Sequence, residues 1–450
     1  MDCAKGLTGR IIRPGDPEYD RARLDFNLRF SKFPCTIVFC QRVKDVVHAV
    51  NKARETGIPI RSRCGRHSYE AFSVVNDGIV ADVSEIRDVH INKRNHTAEV
   101  EAGIGLLDLY DKLWQYGFTF PGGTCPTVGI SGLTLGGGFG MLSRLYGLSC
   151  DNMLRVEMVN AAGKVICADT QHNPDLFWAS QGGGGGNFGI ATSYRLQIYP
   201  VSDTAIFDIK WRWKDAVEVI KAWQEWASNT DLRIGAILDV NTCKNGTITS
   251  SGQFLGSQSA LVSLLRPLLA AGKPVEVQIQ TVPYIEAIRK FAGVSRPHPF
   301  KNTGAFVYDR LPSAAIRIML SFMKNAPSQQ NQVEFQNLSG AVSRITPTAT
   351  AYVHRPAEYN LQYIAQWTDA KEEAANIQWV DALRKALLPY TVGTYVNFSD
   401  LHIADWPQAY YGDNFDRLKV VKRQYDPRNL FRFAQSIPPA DITGGRQTNL

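Results

Sequence analysis

Two glycine-bearing stretches restrict this chain more than any other feature. "RCGRHSYEAF" (residues 63–72) carries His67 beside a glycine turn, and "GTCPTVGISGLTLGGGFG" (residues 123–140) sets Cys125 ahead of a run of glycines. Glycine lacks a Cβ, so its backbone can approach a ligand closely, and successive N–H groups form a concave nest for an anion such as a pyrophosphate. Neither stretch is a Walker A loop, because no Gly-Lys-Ser/Thr follows. "GISGLTLGGGFG" also fails the Rossmann fingerprint: no suitable strand immediately precedes it, and no clear ribose-binding acid stands about twenty residues on. Taken singly, each loop is equally a tight turn, His67 a hydrogen-bonded loop histidine and Cys125 a small buried apolar residue. Placed together, an imidazole and a thiol beside two phosphate-type nests point to a bound anionic cofactor.

The chain is long enough for two or three domains, with 450 residues, 44% apolar and 20% charged, in the range of a globular enzyme. Lys and Arg (49) exceed Asp and Glu (42) by seven, yet no run of five or six like charges forms a basic arm, so nucleic acid is not an expected partner. The start lacks the apolar stretch of a secretory signal, and no apolar run approaches the ~18 residues of a membrane span. These features predict a cytoplasmic protein without a membrane partner, and leave association with a cell-surface or spore structure open. The eight cysteines show no framework spacing and read as free thiols. Cys64 and His67 have Cys-X2-His spacing with Cys35 and Cys40 nearby, but no second pair completes a zinc site, so no metal is expected.

Residues 34–60 read as strand, helix, strand: Val43, Val46, Val47 and Val50 share one helical face, and Gly57 ends the helix. "GIVADV" and "AEVEAG" read as short strands, "LLDLYDKLWQYG" as a helix closed by Gly117, and "MLRVEMVNAAGKVICAD" as a hairpin. After Pro200 the pattern becomes strands and helices of an α+β domain with a substantial antiparallel sheet. Helices are expected at "WKDAVEVIKAWQEWA", at "SALVSLLRPLLAA" and at "TDAKEEAANIQWVDALRKAL". Strands are expected at "RIGAILDV", "GTITSSGQFLG", "NQVEFQNLSGAV" and "TAYVHR".

The two loops, followed in order by "RLYGLSCDNM", "GGGGGNFGI", "YVNFSD" and "YDPRNLF", resemble the berberine bridge enzyme-like flavoproteins of the vanillyl-alcohol oxidase/p-cresol methylhydroxylase superfamily, which include glucooligosaccharide oxidases. The resemblance runs over nearly the whole chain. It implies an α+β, two-domain p-cresol methylhydroxylase-type FAD-binding fold, with a substrate domain built on an antiparallel sheet backed by helices. The implied FAD-binding domain is residues 1–203, the substrate domain 204–400, and 401–450 returns to the FAD domain. The implied cofactor is FAD held by two covalent bonds, from His67 to the flavin 8α-methyl group and from Cys125 to C6.

By the same resemblance, Arg63, Cys64, Gly65, Arg66, His67 and Ser68 form a pyrophosphate loop. Gly129, Ser131, Gly132 and Gly136 belong to a second cofactor loop, and Gly186, Asn187, Gly189 and Ile190 to a third contact. Val128 matches the position that gates oxygen access, where valine implies an oxidase. Arg66 departs from a frequent second glycine, and Leu133 from a histidine of many plant members. Tyr395 matches the catalytic base; since a phenol ordinarily titrates near 10, a positive charge or an anion-stabilising hydrogen bond is needed to lower it. Asn397 is expected to face the flavin. Gln336, Asn360 and Gln362 are expected to line the substrate pocket, and Glu334, on the same strand face as Gln336, reads as a solvated carboxylate.

The implied activity is an FAD-linked oxidase that oxidises an alcohol of a carbohydrate or secondary metabolite by hydride transfer to flavin N5 and reduces O2 to H2O2. Its partners are a small-molecule substrate and O2, acting as a monomer or homodimer. The alternatives are a structural or assembly flavoprotein with little catalysis, and a hydrolase using Cys125 as nucleophile.

Overall fold

The computed structural model describes residues 3–292 and 295–441. It has the expected α+β architecture, with three larger sheets. The first sheet comprises β1 (Arg10–Ile12), β2 (Thr36–Phe39), β3 (Ile60–Arg63) and β4 (Ile79–Asp82) in the order β1-β2-β4-β3. β2, β4 and β3 are parallel, which needs crossovers, and β2 is buried along its whole length, as a strand covered on both faces must be. The helix Val43–Thr56 makes one crossover; Val46, Ala49, Val50 and Ala53 are its buried apolar residues, with Val43 and Val47 packed at the margin. It ends where Gly57 takes φ 73° and returns its N–H to the Ala53 carbonyl at 2.9 Å.

The second sheet is wholly antiparallel. It contains β5 (Val89–Asn92) and β6 (Thr97–Glu101), then, beyond the short β7 (Phe118–Thr119), β8 (Met153–Val159), β9 (Val165–Ala168) and β10 (Ile190–Gln197), in the order β5-β6-β10-β8-β9. β8 and β9 are the expected hairpin. One apolar core underlies both sheets and also takes Tyr284, Ile285 and Ile288 from a helix late in the sequence, and Leu418, Val421 and Ile437 from the C-terminal stretch.

After β11 (Tyr199–Pro200), the third sheet collects β12 (Asp203–Arg212), β13 (Ile234–Asn241), β14 (Thr247–Phe254), β15 (Glu276–Pro283), β16 (Phe300–Val307), β17 (Gln332–Asn337) and β18 (Tyr359–Gln366). Its order is β15-β12-β14-β13-β17-β18-β16, antiparallel throughout. One face carries Leu238, Val240, Phe335, Leu361 and Tyr363 and is covered by helices Ala216–Asn229, Ser313–Lys324 and Glu373–Leu387 in a second core. The other face, with Asp239, Glu334 and Gln362, turns towards the first unit; the strand alternation separates the two sets.

Two sequence expectations are corrected. "TAYVHR" is not a strand: Tyr352 to His354 run irregularly, and the strand falls on Tyr359–Gln366. Tyr352 and Ala357 instead fill a small core between the two units together with Phe139, Phe306 and Tyr395. "SALVSLLRPLLAA" is two helices, Gln258–Leu264 and Arg266–Ala270, since Pro267 has no N–H to continue the first and serves at the start of the second. The tail of the 401–450 segment, residues 442–450, lies outside the described residues.

Candidate functional site

A cavity of about 440 Å³ lies between the first unit and the polar face of the third sheet. Arg63 forms one wall. It is the last residue of β3, in register with Asp82 at the end of parallel β4, and its Nε donates to Asp82 Oδ2 at 2.7 Å with both side chains fully buried. Its Nη1 and Nη2 have no partner although they are buried. A buried guanidinium with two idle nitrogens at a cavity wall is chemically suited to an anion. Arg66 reaches within 3.8 Å of the same Asp82 and has φ 65°. That left-handed backbone explains why a glycine suits this position.

The two glycine loops meet back to back. A Cβ on Gly65 would lie 2.2 Å from Gly129 N, and one on Gly129 would lie 2.1 Å from Cys64 Sγ, so only glycine allows the approach. At Gly132 a Cβ would have nothing within 4 Å and would enter the cavity itself. Ser68, Val128, Ser131 and Ile190 line the same space. Gly186 and Asn187 do so from the third loop, which the C-terminal stretch locks: Lys422 Nζ donates to the Asn187 carbonyl at 2.7 Å, and Ile437 N–H donates to Asn187 Oδ1 at 2.9 Å. Idle buried cation, close-approach glycines and a long cavity fit an FAD.

His67 and Cys125 both open onto the cavity. The imidazole stacks on Phe26 (centroids 4.1 Å apart) and its Nε2 lies 2.8 Å from Thr127 Oγ1. Burial, reinforced by the neighbouring His298, lowers its pKa to about 4, so it is neutral and has a free lone pair at neutral pH. Cys64 also lines the cavity, but burial pushes its thiol up to about 12 and its Sγ is turned to the Ala102 carbonyl at 3.2 Å, so it offers neither a nucleophile nor a zinc ligand. Among the described residues no group of three or more His, Cys, Asp or Glu could hold a metal ion, and no helix is long and apolar enough to cross a membrane.

Tyr395 stands at the cavity as the residue before a short 3-10 turn, Val396–Phe398. Its hydroxyl oxygen accepts from Gly138 N–H at 2.7 Å and from Asn397 Nδ2 at 2.8 Å. These are the anion-stabilising bonds the sequence reading asked for, yet burial outweighs them and raises the phenol above its usual value. Asn397 lines the cavity as expected.

Four expected residues do not line it. Gly136 makes room for Asn397, whose Oδ1 would lie 2.2 Å from a Cβ there, and Gly189 packs on β8, where a Cβ would lie 2.7 Å from the Val159 carbonyl. Asn360 is fully buried, with Nδ2 donating to the Ala305 carbonyl at 3.3 Å, and Gln336 donates to Glu334. Gln362 is the one of the three proposed substrate contacts that reaches the cavity.

Sequence reasoning missed Tyr69, Phe398 and Asn302. Tyr69 lies between Gln362, whose Nε2 donates to its hydroxyl at 2.8 Å, and Phe398, on which its ring stacks at 5.4 Å. Its place two residues after His67 was the available signal; Asn302 offered none, since its approach depends on the pairing of β16 with β18. Glu334 also differs from the fully solvated carboxylate expected: it is half-buried and accepts from Gln336. Asp239, Glu334 and Gln362 stand in register across β13, β17 and β18, and burial together with the facing Asp239 raises Glu334 to about 8, while burial and Asp208 raise Asp239 to about 7.

Comparison with known proteins accords with this geometry. Residues 34–169 match the model of an FAD binding domain, and residues 394–438 match the "Berberine and berberine like" model. The FAD-linked oxidoreductase YgaK of Bacillus subtilis (strain 168) is 44% identical over 439 residues, covering 96% of this chain and 97% of its own. Among solved structures, wild-type BBE-like 1 of Physcomitrella patens superposes with a TM-score of 0.92 at 31% identity, covering 98% of each chain. A chitooligosaccharide oxidase gives 0.91 at 26% identity, covering 98% of this chain and all of its own. The grass pollen allergen Phl p 4, which has glucose dehydrogenase activity, gives 0.89 at 25% identity over 98% and 99%; its isoleucine-to-valine variant is a glucose oxidase.

Proposed function

Because this chain belongs to the berberine bridge enzyme-like FAD-linked oxidoreductases, we propose that it is an oxidase of an alcohol on a carbohydrate or secondary metabolite, with FAD attached through His67 and Cys125 and O2 as acceptor. The observation that carries this reading is the meeting of His67, Cys125, Arg63 and Tyr395 on one cavity. When bound, the flavin takes up a hydride from a substrate carbon and passes the electrons to O2.

The chain's own groups do the rest. Arg63 Nη1 and Nη2, Arg66 and the N–H groups around Gly129 and Gly132 hold the cofactor's phosphates. His67, neutral at neutral pH, supplies a nucleophilic nitrogen, and Cys125 supplies a thiol. Tyr395 acts as the base in its ionised form, with Gly138 N–H and Asn397 Nδ2 stabilising the phenolate; because burial raises the phenol, that form and the rate it supports increase with pH. Val128 lines the cavity with a short side chain, and the family resemblance assigns a valine at this position to admitting O2. The sheet face beyond Tyr69 offers acceptors, Glu334, Asp239 and the idle Oδ1 of Asn302, which suit a substrate rich in hydroxyl donors.

The test is a screen for peroxide release against oligosaccharides and phenolic or polyketide alcohols, with anaerobic bleaching of the flavin as the second readout. Bleaching by an alcohol with one peroxide per product supports the reading. A yellow protein that no alcohol bleaches, or that reacts only by forming a C–C bond, removes it.

A further inference from the structure

The two residues assigned to flavin attachment are joined by two hydroxyls. His67 Nε2 lies 2.8 Å from Thr127 Oγ1, Thr127 Oγ1 lies 3.1 Å from Ser295 Oγ, and Ser295 Oγ lies 3.5 Å from Cys125 Sγ, within hydrogen-bond reach for sulfur. Thr127 comes from the loop of Cys125 itself, whereas Ser295 arrives from the segment that leads into β16. A hydroxyl both donates and accepts, so such a chain can pass a proton along its length.

We propose that Thr127 and Ser295 form a relay that carries the Cys125 thiol proton to His67 Nε2, so that the histidine–flavin bond forms first and promotes the cysteine–flavin bond. This inference rests on the reading that FAD is attached at both residues. Thr127 engages Nε2, which leaves Nδ1 as the nitrogen for the bond. Once Nδ1 is substituted, Nε2 has no hydrogen and can only accept. Thr127 must then donate to it, Ser295 to Thr127, and the Cys125 S–H to Ser295. The whole chain points one way, from thiol to imidazole.

The step balances. As the S–C bond to the flavin ring forms, the thiol proton moves through Ser295 and Thr127 to Nε2 and on to the ring or to water. The sulfur's electron pair makes the new bond and leaves the ring reduced by two electrons; dioxygen takes these to give hydrogen peroxide and the oxidised, doubly attached flavin. The thiolate is the reactive form of a cysteine, so its generation at neutral pH is the slow element that a relay removes. The titratable groups around the thiol are His67 and Tyr69 from the loop after β3 and His298 from the approach to β16.

The experiment uses full-length protein produced under riboflavin limitation and loaded with FAD, with intact mass and peptide mapping following each bond over time. In the wild type the His67 adduct should precede the double adduct. Thr127→Val and Ser295→Ala should form the His67 bond at the wild-type rate but the Cys125 bond at least tenfold more slowly at pH 7. At pH about 9.5, where ordinary thiols ionise unaided, the two variants should recover the wild-type rate. Thr127→Ser, which keeps a hydroxyl, should match the wild type at both values. Unchanged rates in the variants, slow attachment at both pH values, or a wild-type cysteine bond that precedes the histidine bond would overturn the relay. A wild type that never gains FAD mass at either residue would instead overturn the covalent reading beneath it.

Discussion

The cavity has two unlike walls. On the first unit it is built of backbone: loops that meet at Gly65 and Gly129, the open edge of Gly132, and a fully buried Arg63–Asp82 pair. On the third sheet it is lined by side chains of one sheet face, Asn302, Gln362, Ile364 and Gln366, and the row of Gln362 continues beyond the cavity to Glu334 and Asp239. The first wall offers donors and positive charge, suited to a dinucleotide's phosphates; the second offers amide side chains, with the raised carboxyls of Glu334 and Asp239 further along the same sheet face. The difference teaches that, under the proposed function, the anion falls to groups fixed by backbone and burial, and the substrate to exchangeable side chains of a rigid ladder.

The contrast breaks most completely at Arg63. Arg63→Ala leaves Asp82 buried without its partner, which should cost about 3–5 kcal/mol, and removes the idle nitrogens from the phosphate wall. Thermal unfolding and flavin absorbance per chain should both fall; normal flavin content would contradict the role given to this wall. Tyr395→Phe should separate chemistry from cofactor retention: anaerobic flavin reduction slows roughly 10²–10⁴-fold while the flavin remains bound. Gly129→Ala brings a Cβ against Cys64 Sγ and should cost about 1–3 kcal/mol, visible as a lower unfolding midpoint and poorer flavin loading.

The smallest effect concerns the opposite wall. Burial and the facing Asp239 raise the Glu334 carboxyl above its unfolded range, so the folded state holds that proton more tightly. Stability from this group is therefore present at low pH and is lost as pH rises towards 8. Asp239 and Asp208 are the facing acids, and Tyr69 the facing phenol. Glu334→Gln should flatten the decline in melting temperature between pH 5 and 8 and raise the value at pH 8 by about 2–4 °C, the shift that roughly 1 kcal/mol makes in a domain of this size. An unchanged pH slope would mean that the sheet face is open to water.

Legibility in the sequence followed the same division. Most strands and helices, the cofactor loops and Tyr395 could be read locally, because each lies within one continuous motif. The errors fell where distant chain segments decide the outcome. "TAYVHR" has strand composition, but Tyr352 and Ala357 pack between the two units. Gly136 and Gly189 belong to glycine-rich motifs, yet one accommodates Asn397 and the other β8. Asn360 and Gln362 differ by two residues and share a sheet face, but only Gln362 reaches the cavity, under Tyr69.

By itself the sequence determined the glycine loops, the imidazole and thiol set on them, and the family, since glycine conformations and side-chain chemistry are properties of short contiguous stretches. Only the tertiary structure decided that the Cys64 thiol is turned to a backbone carbonyl while Cys125 meets Ser295 and, through Thr127, His67, and that Glu334 faces Asp239. Those relations join residues distant in the sequence through loop contacts and strand register, and none is encoded in a local pattern.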